Sequence, residues 1–365
     1  MRLASAGALR PLAGTVPTAA PWAGGTLWLG LDCAVLVKRL SIETDPYEND
    51  PGRWGASLAT LAELMLPCLD AAGARSVVEV GAYAGDVTRL LLDWAAESGA
   101  RVWAIDPSPH ERLVQLGEER PDLELIRATS HDALRDIPVP DVVVIDGDHN
   151  YHTVSEELHL IGERASGADL PLLMFHDVCW PHARRDDYFA PELIPEEDRN
   201  PFVEGGGLFP GVPGVRHGGL PFRWPAAREG GPHNGVLTAI EDFVENRAGL
   251  RLAVVPAFFG LGVIWHRDAP WAAAVAEILD PWDRNPLLER LEANRVFHLA
   301  SEHVQLVRAS EIQERVARQE MLLRRLLGSS AFSVAERLSR LRQRVGIAPD
   351  QSAVSKEEVR RTLAD

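Results

Sequence analysis

The feature that most limits the possible folds of this chain is a regular alternation of short β-branched runs with helical patterns. The runs are rich in valine and isoleucine with few polar interruptions, which is typical of strands buried on both faces of a sheet. The predicted strands are residues 76–80, 101–105, 123–127, 142–145 and 171–175. Because helical stretches separate them, the pattern predicts an α/β fold in which helices cover both faces of a parallel sheet.

The alternation stops at residues 182–234, where glycine and proline are frequent. We interpret this segment as a lid insertion without regular structure, since long irregular loops in compact domains are often functional. A helix is predicted at 236–246, followed by strands at 251–256 and 261–266 with a short turn between them. These two strands are predicted to form a closing hairpin.

The two ends of the chain differ from this central part. Residues 1–55 are rich in alanine, glycine and proline and are predicted to form an N-terminal arm, whereas 56–270 form the main domain. Residues 285–365 are predicted to be a helical extension, with a break at Gly328-Ser329-Ser330. Its apolar residues recur at helical spacing, so we expect it to pack on the domain or to join subunits into a homo-oligomer.

The charge of the chain argues against two classes of partner. The formal net charge is -16, so nucleic-acid phosphates and anionic membrane surfaces would be repelled. Three widely spaced cysteines give no zinc or disulfide pattern, which favours a reducing, cytoplasmic location. The apolar run at 26–37 is too short to span a membrane.

A glycine turn, Glu79 to Gly85, connects the first predicted strand to a helix. Such a turn places backbone N–H groups and a helix N-terminus beside a ligand, and Gly81 and Gly85 permit close approach. Tyr83 stands where a dinucleotide-binding motif has its second glycine, which disfavours a diphosphate. The Glu79 carboxylate favours a cationic group instead, so the turn indicates a nucleoside that carries an amino acid.

Acidic and hydroxyl residues follow the next strands. Asp106 ends the second strand, where a carboxylate can accept hydrogen bonds from two ribose hydroxyls. Ser130 and His131 follow the third strand, where an adenine edge would lie.

The fourth strand continues into Asp146, Asp148 and His149, and the fifth ends at His176 and Asp177. Ligands of open α/β sheets bind at the carboxyl ends of strands, so these side chains are expected to face a cleft. His149 has a suitable unperturbed pKa for a general base. Asp146, His176 and Asp177 are candidate ligands of a divalent metal that would make a hydroxyl more acidic.

Taken together, the segment Glu79–Gly85, Asp106 and the triplet at 130–132 resemble the cofactor site of class I S-adenosylmethionine-dependent methyltransferases. The resemblance covers residues 76–266 and implies a Rossmann-like, doubly wound sheet of seven strands whose last strand is antiparallel. The cofactor-binding residues that it implies are Glu79, Gly81, Tyr83, Gly85, Asp106, Ser130, His131 and Asp146.

The D-G-D-H-x-Y element at 146–151 resembles a subgroup of small-molecule O-methyltransferases that includes metal-dependent sugar and catechol enzymes. In that subgroup an acidic residue ends strand four and an Asp-Asp or Asp-Asn pair ends strand five. Asp146 and Asp177 match, whereas His176 replaces the first carboxylate of the pair. The resemblance leaves open magnesium, a transition metal, or no metal with His149 or His176 as the base.

The sequence therefore predicts an S-adenosylmethionine-dependent O-methyltransferase whose catalytic residues are His149, Asp146 and His176. Polar and aromatic residues of the lid suit a sugar, glycan or glycosylated natural product as acceptor. They are His182, Arg184, Arg185, Asp186, Asp187, Tyr188, His217, Arg223, Trp224, His233 and Asn234. Trp54 is a further candidate for covering the cofactor. The alternatives are an NAD-dependent oxidoreductase or nucleotide-sugar-modifying enzyme, and a non-catalytic partner in a larger assembly.

Overall fold

A seven-stranded sheet organises the part of the chain that the computed structural model describes, residues 57–346 and 354–363. In chain order the strands of these residues are β1 (Ser76–Val80), β2 (Arg101–Ile105), β3 (Leu123–Ile126), β4 (Val142–Ile145), β5 (Leu172–Phe175), β6 (Gly206–Phe209), β7 (Val212–Arg216), β8 (Leu220–Phe222), β9 (Leu250–Val255) and β10 (Leu261–His266). The order across the central sheet is β3-β2-β1-β4-β5-β10-β9. Strands β1 to β5 pair in parallel, whereas β10 is antiparallel to both β5 and β9. The predicted fold class and its antiparallel closing hairpin are confirmed.

Helices cover both faces of this sheet. In chain order the α-helices of the described residues are α1 (Ala62–Ala72), α2 (Asp86–Ser98), α3 (Glu111–Glu119), α4 (Ser130–Asp136), α5 (Tyr151–Arg164), α6 (Val236–Glu245), α7 (Ala272–Leu279), α8 (Pro286–Gly328), α9 (Ser330–Arg344) and α10 (Lys356–Thr362). Val77 packs with α1, α2, α3 and α7 on one face, and its neighbour Val78 packs with α4, α5 and α6 on the other. Successive strand residues point to opposite faces, so a doubly covered sheet needs apolar residues at every position.

The lid segment has regular structure, and its prediction as a structureless loop was wrong. Strands β6, β7 and β8 form a separate antiparallel sheet in the order β7-β6-β8. Their sequence is poor in β-branched residues because close backbone contacts require glycine. A Cβ atom at Gly207 would lie 2.1 Å from the carbonyl oxygen of Gly218.

Buried polar side chains hold the lid in place. The Oδ1 atom of Asp186 accepts hydrogen bonds from the backbone N–H groups of Tyr151 and Gly235 at 2.8 and 2.7 Å. Its Oδ2 atom accepts from the Tyr188 hydroxyl and the Asn200 amide. Four bonds offset the cost of burying this carboxylate, so Asp186 and Tyr188 have structural roles.

The C-terminal extension is helical and breaks between α8 and α9 at Ser329, within the predicted break. Helix α7 was not predicted, whereas α10 lies within the predicted helical extension. Residues 1–55, with Trp54, lie outside the described residues. Among those described, no helix has the length and apolar character that crossing a membrane requires.

Candidate active site

The glycine turn begins where the ends of β1 and β4 meet. Gly81 has a φ of +82°, and a Cβ atom there would lie 2.1 Å from the carbonyl oxygen of Asp146. Glycine is therefore required for contact between two strand ends as well as for a left-handed backbone. Gly85, at a φ of +83°, precedes α2 and provides no side-chain cap, so first-turn N–H groups are left for other acceptors.

Glu79 lies beneath this turn in a buried position. Only 2% of its surface is exposed, and the Thr88 hydroxyl donates a 2.6 Å hydrogen bond to its carboxyl group. Burial raises the pKa of Glu79 to about 8, so the group is mostly neutral at pH 7. An ammonium group beside it would lower that pKa, and contact with the cofactor stays a prediction for this residue.

Asp106 connects the glycine turn to the end of β2. Its Oδ2 atom accepts a hydrogen bond from the backbone N–H of Tyr83 at 2.8 Å, and its Oδ1 atom accepts from Ser108 at 2.7 Å. Each carboxylate oxygen can accept a further bond. The carboxylate is thus held in one orientation, and ribose binding stays a prediction for Asp106. Tyr83 has a left-handed backbone conformation, and its ring lies 5.5 Å from that of His110.

Ser130 and His131 open α4, which Thr129 caps. The Nε2 atom of His131 lies 3.3 Å from the Thr153 carbonyl oxygen, so this helix start packs on the first turn of α5. One turn further along α5 lies Glu157, a buried residue that we had not singled out. Burial raises the pKa of its carboxyl group to about 8, and a hydrogen bond with the Ser130 side chain opposes this shift.

Asp146, His176 and Asp177 meet at the carboxyl ends of β4 and β5. The Nδ1 atom of His176 lies 3.2 Å from Asp146 Oδ1 and 3.3 Å from Asp177 Oδ2. Its Nε2 atom lies 2.9 Å from the Phe258 carbonyl oxygen. A carbonyl only accepts, so Nε2 carries a hydrogen and Nδ1 faces the two carboxylates. Burial opposes the charged imidazolium, but Asp177 and Asp146 outweigh it and raise the pKa of His176.

His149 completes the cluster from the loop before α5. Its Nε2 atom lies 3.1 Å from Asp177 Oδ2 and 3.8 Å from Asp146 Oδ1. Burial by itself would lower the pKa of His149, but these two carboxylates raise it to about 9. The side chain is 31% exposed, compared with 2% for His176. The Nε2 atom of His149 is itself buried, so this exposure belongs to other atoms of the side chain.

His182 is the lid residue that the fold brings to this cluster. Its ring stacks on that of His149 at 4.7 Å, and its Nδ1 atom has no hydrogen-bond partner within the described part of the chain. Burial lowers the pKa of His182 to about 3, so it is neutral. The structure does not bring His217 to the site, because it pairs with Glu311 on α8.

We had expected the Asp148 side chain to face the cleft, but both of its carboxylate oxygens accept hydrogen bonds from other residues. Its Oδ1 atom accepts a 2.9 Å hydrogen bond from the backbone N–H of Phe189, and Thr153 donates to Oδ2 at 3.2 Å. Asp148 therefore links the start of α5 to the lid.

The turn between β9 and β10 supports the cluster. Asp177, Phe258 and Phe259 have φ values of +58°, +53° and +66°, which are uncommon for residues other than glycine and concentrate at functional sites. Glu292 of α8 accepts hydrogen bonds from the backbone N–H groups of Phe258 and Phe259 at 3.1 and 2.8 Å. Because the Phe258 carbonyl orients His176, the C-terminal helix contributes to the site.

The strand order, with acidic residues at the carboxyl ends of strands, is that of a Rossmann-like fold. Residues 78–178 match the family model described as a methyltransferase domain. This match agrees with the S-adenosylmethionine-dependent methyltransferase that the sequence predicts, and it covers less than a third of the chain. None of the curated proteins matches its sequence.

Several solved structures are similar to part of this chain. An S-adenosylhomocysteine-bound Podospora anserina methyltransferase, PaMTH1, is 14% identical with a TM-score of 0.39, and the match covers 67% of this chain and 100% of that one. An S-adenosylmethionine-dependent methyltransferase from Clostridium acetobutylicum is 10% identical (TM-score 0.33; 64% and 99% covered). Human N-acetylserotonin methyltransferase in complex with SAM is 10% identical (TM-score 0.32; 56% and 51% covered). Their TM-scores are below 0.5, so the activity of this chain is not inferred from them.

Replacing Asp106 with alanine is expected to weaken the binding of S-adenosylhomocysteine by about 10- to 100-fold, because hydrogen bonds to a charged acceptor contribute about 1.5–3 kcal/mol. Isothermal titration calorimetry measures the change. Asp122→Ala is the matched control, since Asp122 is an exposed carboxylate paired with Arg120 at the start of β3. Equal affinities of the two variants would contradict the ribose-binding role of Asp106.

Proposed function

We propose that this methyltransferase transfers the methyl group to oxygen, on a hydroxyl of a sugar, glycan or glycosylated natural product. The observation that carries the proposal is the position of His149, whose Nε2 atom lies 3.1 Å from Asp177 at the carboxyl edge of the sheet. The proposal assigns this chemistry to residues 56–270, including the lid at 182–234. The NAD-dependent or nucleotide-sugar alternative is not favoured, because the family match is to a methyltransferase domain.

The donor set at the strand ends fits a divalent metal. One donor atom from each of Asp146, His176 and Asp177 lies within 4.8 Å of the others. The bond from His176 Nε2 to the Phe258 carbonyl is the arrangement that metal-binding histidines commonly have on their second nitrogen. When bound, the metal would make the acceptor hydroxyl more acidic. With one imidazole among the ligands, a transition metal suits the site better than magnesium.

A bound metal would also lower the pKa of His149. At a pKa of about 9 this imidazole is protonated at neutral pH and is unable to accept a proton. A cation between Asp146 and Asp177 would offset the charges that raise the pKa. The pKa of His149 would then move towards the range in which histidine acts as a base.

His149 is the proposed general base. Its Nε2 atom takes the proton of the acceptor hydroxyl while the oxygen forms a bond to the methyl carbon and the sulfur–methyl bond breaks. The products are a methyl ether, neutral S-adenosylhomocysteine and an imidazolium ion. Asp177 lies beside that imidazolium and stabilises it. His176 fits the role less well, because both of its ring nitrogens face hydrogen-bond partners.

The experiment that tests the proposal uses labelled S-adenosylmethionine with panels of glycosides, phenols and amines, with and without a chelator. We expect transfer to sugar hydroxyls that falls after EDTA treatment and returns with manganese or cobalt. Transfer only to nitrogen or carbon would contradict an oxygen acceptor. Transfer that is insensitive to chelation would support the metal-free mechanism instead.

We further propose that the C-terminal helices join two copies of the chain. This proposal is independent of the acceptor, and one segment of α8 supports it.

A further inference from the structure

The second half of α8 is exposed on nearly all sides. The lid contacts this helix through His217, whose ring lies 2.7 Å from Glu311. From Glu311 to residue 326, only Gln313 and Leu323 are half-buried, and the other residues are exposed. Large apolar side chains in this stretch, Ile312, Val316, Met321, Leu322 and Leu326, are between 47% and 58% exposed. A single helix of this length is marginal in water without a partner that buries its apolar face.

The apolar residues of this stretch follow a heptad repeat. Counting from Ala309, residues at alternating spacings of three and four form one seam, which consists of Ala309, Ile312, Val316, Gln319, Leu323 and Leu326. The opposite side carries polar residues, including Glu314 and Arg318, which pair within the helix at 2.9 Å. This arrangement is that of a two-stranded coiled coil. The polar Gln319 falls within the seam, where one polar residue restricts register and the number of strands.

The charges beside the seam select an orientation. Arg315 lies on one flank and Glu320 on the other, five residues later. In a parallel pair these flanking positions face each other across the seam, so each Arg315 meets Glu320 of the second copy. In an antiparallel pair the same flank of each helix faces its counterpart, so Arg315 of one copy would approach Arg315 of the other. Glu320 also contacts Arg324 at 3.8 Å in its own helix, but this exposed pair is weak.

We propose that residues 309–326 of α8 form a parallel, two-stranded coiled coil with the same segment of a second copy of this chain. Complementary charges at Arg315 and Glu320 favour a second copy over an unrelated helix. The parallel arrangement places both methyltransferase domains at the same end of the coiled coil. The flanking Leu322 and Leu327 pair in the same way as Arg315 and Glu320, which widens the apolar contact.

The first test measures the mass of the full chain by light scattering after size-exclusion chromatography, and the dissociation constant by analytical ultracentrifugation. We expect a dimer. Ile312→Asp should raise the dissociation constant by at least about 100-fold, because each of the two copies would bury one carboxylate in the seam. Met321→Asp is the matched control: Met321 has the same 58% exposure but lies off the seam. Binding of S-adenosylhomocysteine shows that each variant keeps a folded domain.

The second test addresses orientation. Arg315→Glu and Glu320→Arg should each raise the dissociation constant of the dimer. The double variant should restore the dissociation constant of the unaltered protein, because the two opposite charges again face each other. In a chain with Gln319→Cys, oxidation should form a disulfide between the two introduced cysteines. That bond requires parallel helices in register. A monomeric protein, a dimer that withstands Ile312→Asp, or a double variant that is weaker than both single variants would overturn the proposal.

Discussion

Replacing His149 with asparagine is expected to lower the rate of methyl transfer by about 10²- to 10⁴-fold, the usual contribution of a positioned general base. Asparagine has nearly the same size but cannot accept the proton of the hydroxyl. The affinity for S-adenosylhomocysteine should change little, because Asp106 and the glycine turn lie above other strands. Initial rates with saturating labelled S-adenosylmethionine measure the effect.

The control for this prediction is His159→Asn. His159 lies on α5, is 55% exposed at its side chain and pairs with Glu163. It has no place in the cluster, and its variant should keep the full rate. If His149→Asn kept most of the activity, His149 would not be the base. A full rate in both His149→Asn and His176→Asn would mean that transfer needs no histidine base.

Replacing Asp177 with asparagine is expected to weaken divalent-metal binding and lower the rate by at least about 100-fold, since a negatively charged ligand is lost. Asparagine tolerates the left-handed backbone at a φ of +58°, so the substitution changes charge with little backbone strain. His149 and His176 would also lose their shared carboxylate, at 3.1 and 3.3 Å. Metal content after dialysis and the initial rate are both measured.

Asp187→Asn is the control for this second prediction. Asp187 is a largely buried lid carboxylate whose backbone N–H donates to the His149 carbonyl, but it is not among the candidate metal donors. Its variant should retain metal. If Asp177→Asn lost the metal but kept its rate, the metal would not be needed for methyl transfer. One that keeps both would show that Asp177 is not a ligand.

The central fold could be predicted because its signals are local. Strands β1, β2 and β4 match the predicted residues, since a strand buried on both faces needs apolar side chains at every position. The strands of the lid were missed for the opposite reason. In β6 the residues Gly206 and Gly207 occur where neighbouring atoms leave no space for a Cβ atom, so the usual strand composition is absent.

Part of the candidate site could also be read from the sequence. Asp106, Asp146 and Asp177 each follow a predicted strand, and the carboxyl ends of parallel strands meet at one edge. Glu157 gave a signal that was overlooked, because it interrupts the apolar face formed by Val154 and Leu158 on α5. A buried carboxyl group on such a face is unusual unless it has a partner or a role.

The sequence alone determined the order of strands and helices, the glycine turn and the acidic strand ends, because hydrophobic period and turn chemistry act over a few residues. Only the tertiary structure decided that His182 stacks on His149 and that Glu292, from α8, holds the turn that orients His176. These contacts join residues 33 or more positions apart by packing, and no local pattern encodes such pairs. The carboxylates around His149 likewise raise its pKa only after folding has brought them within 4 Å.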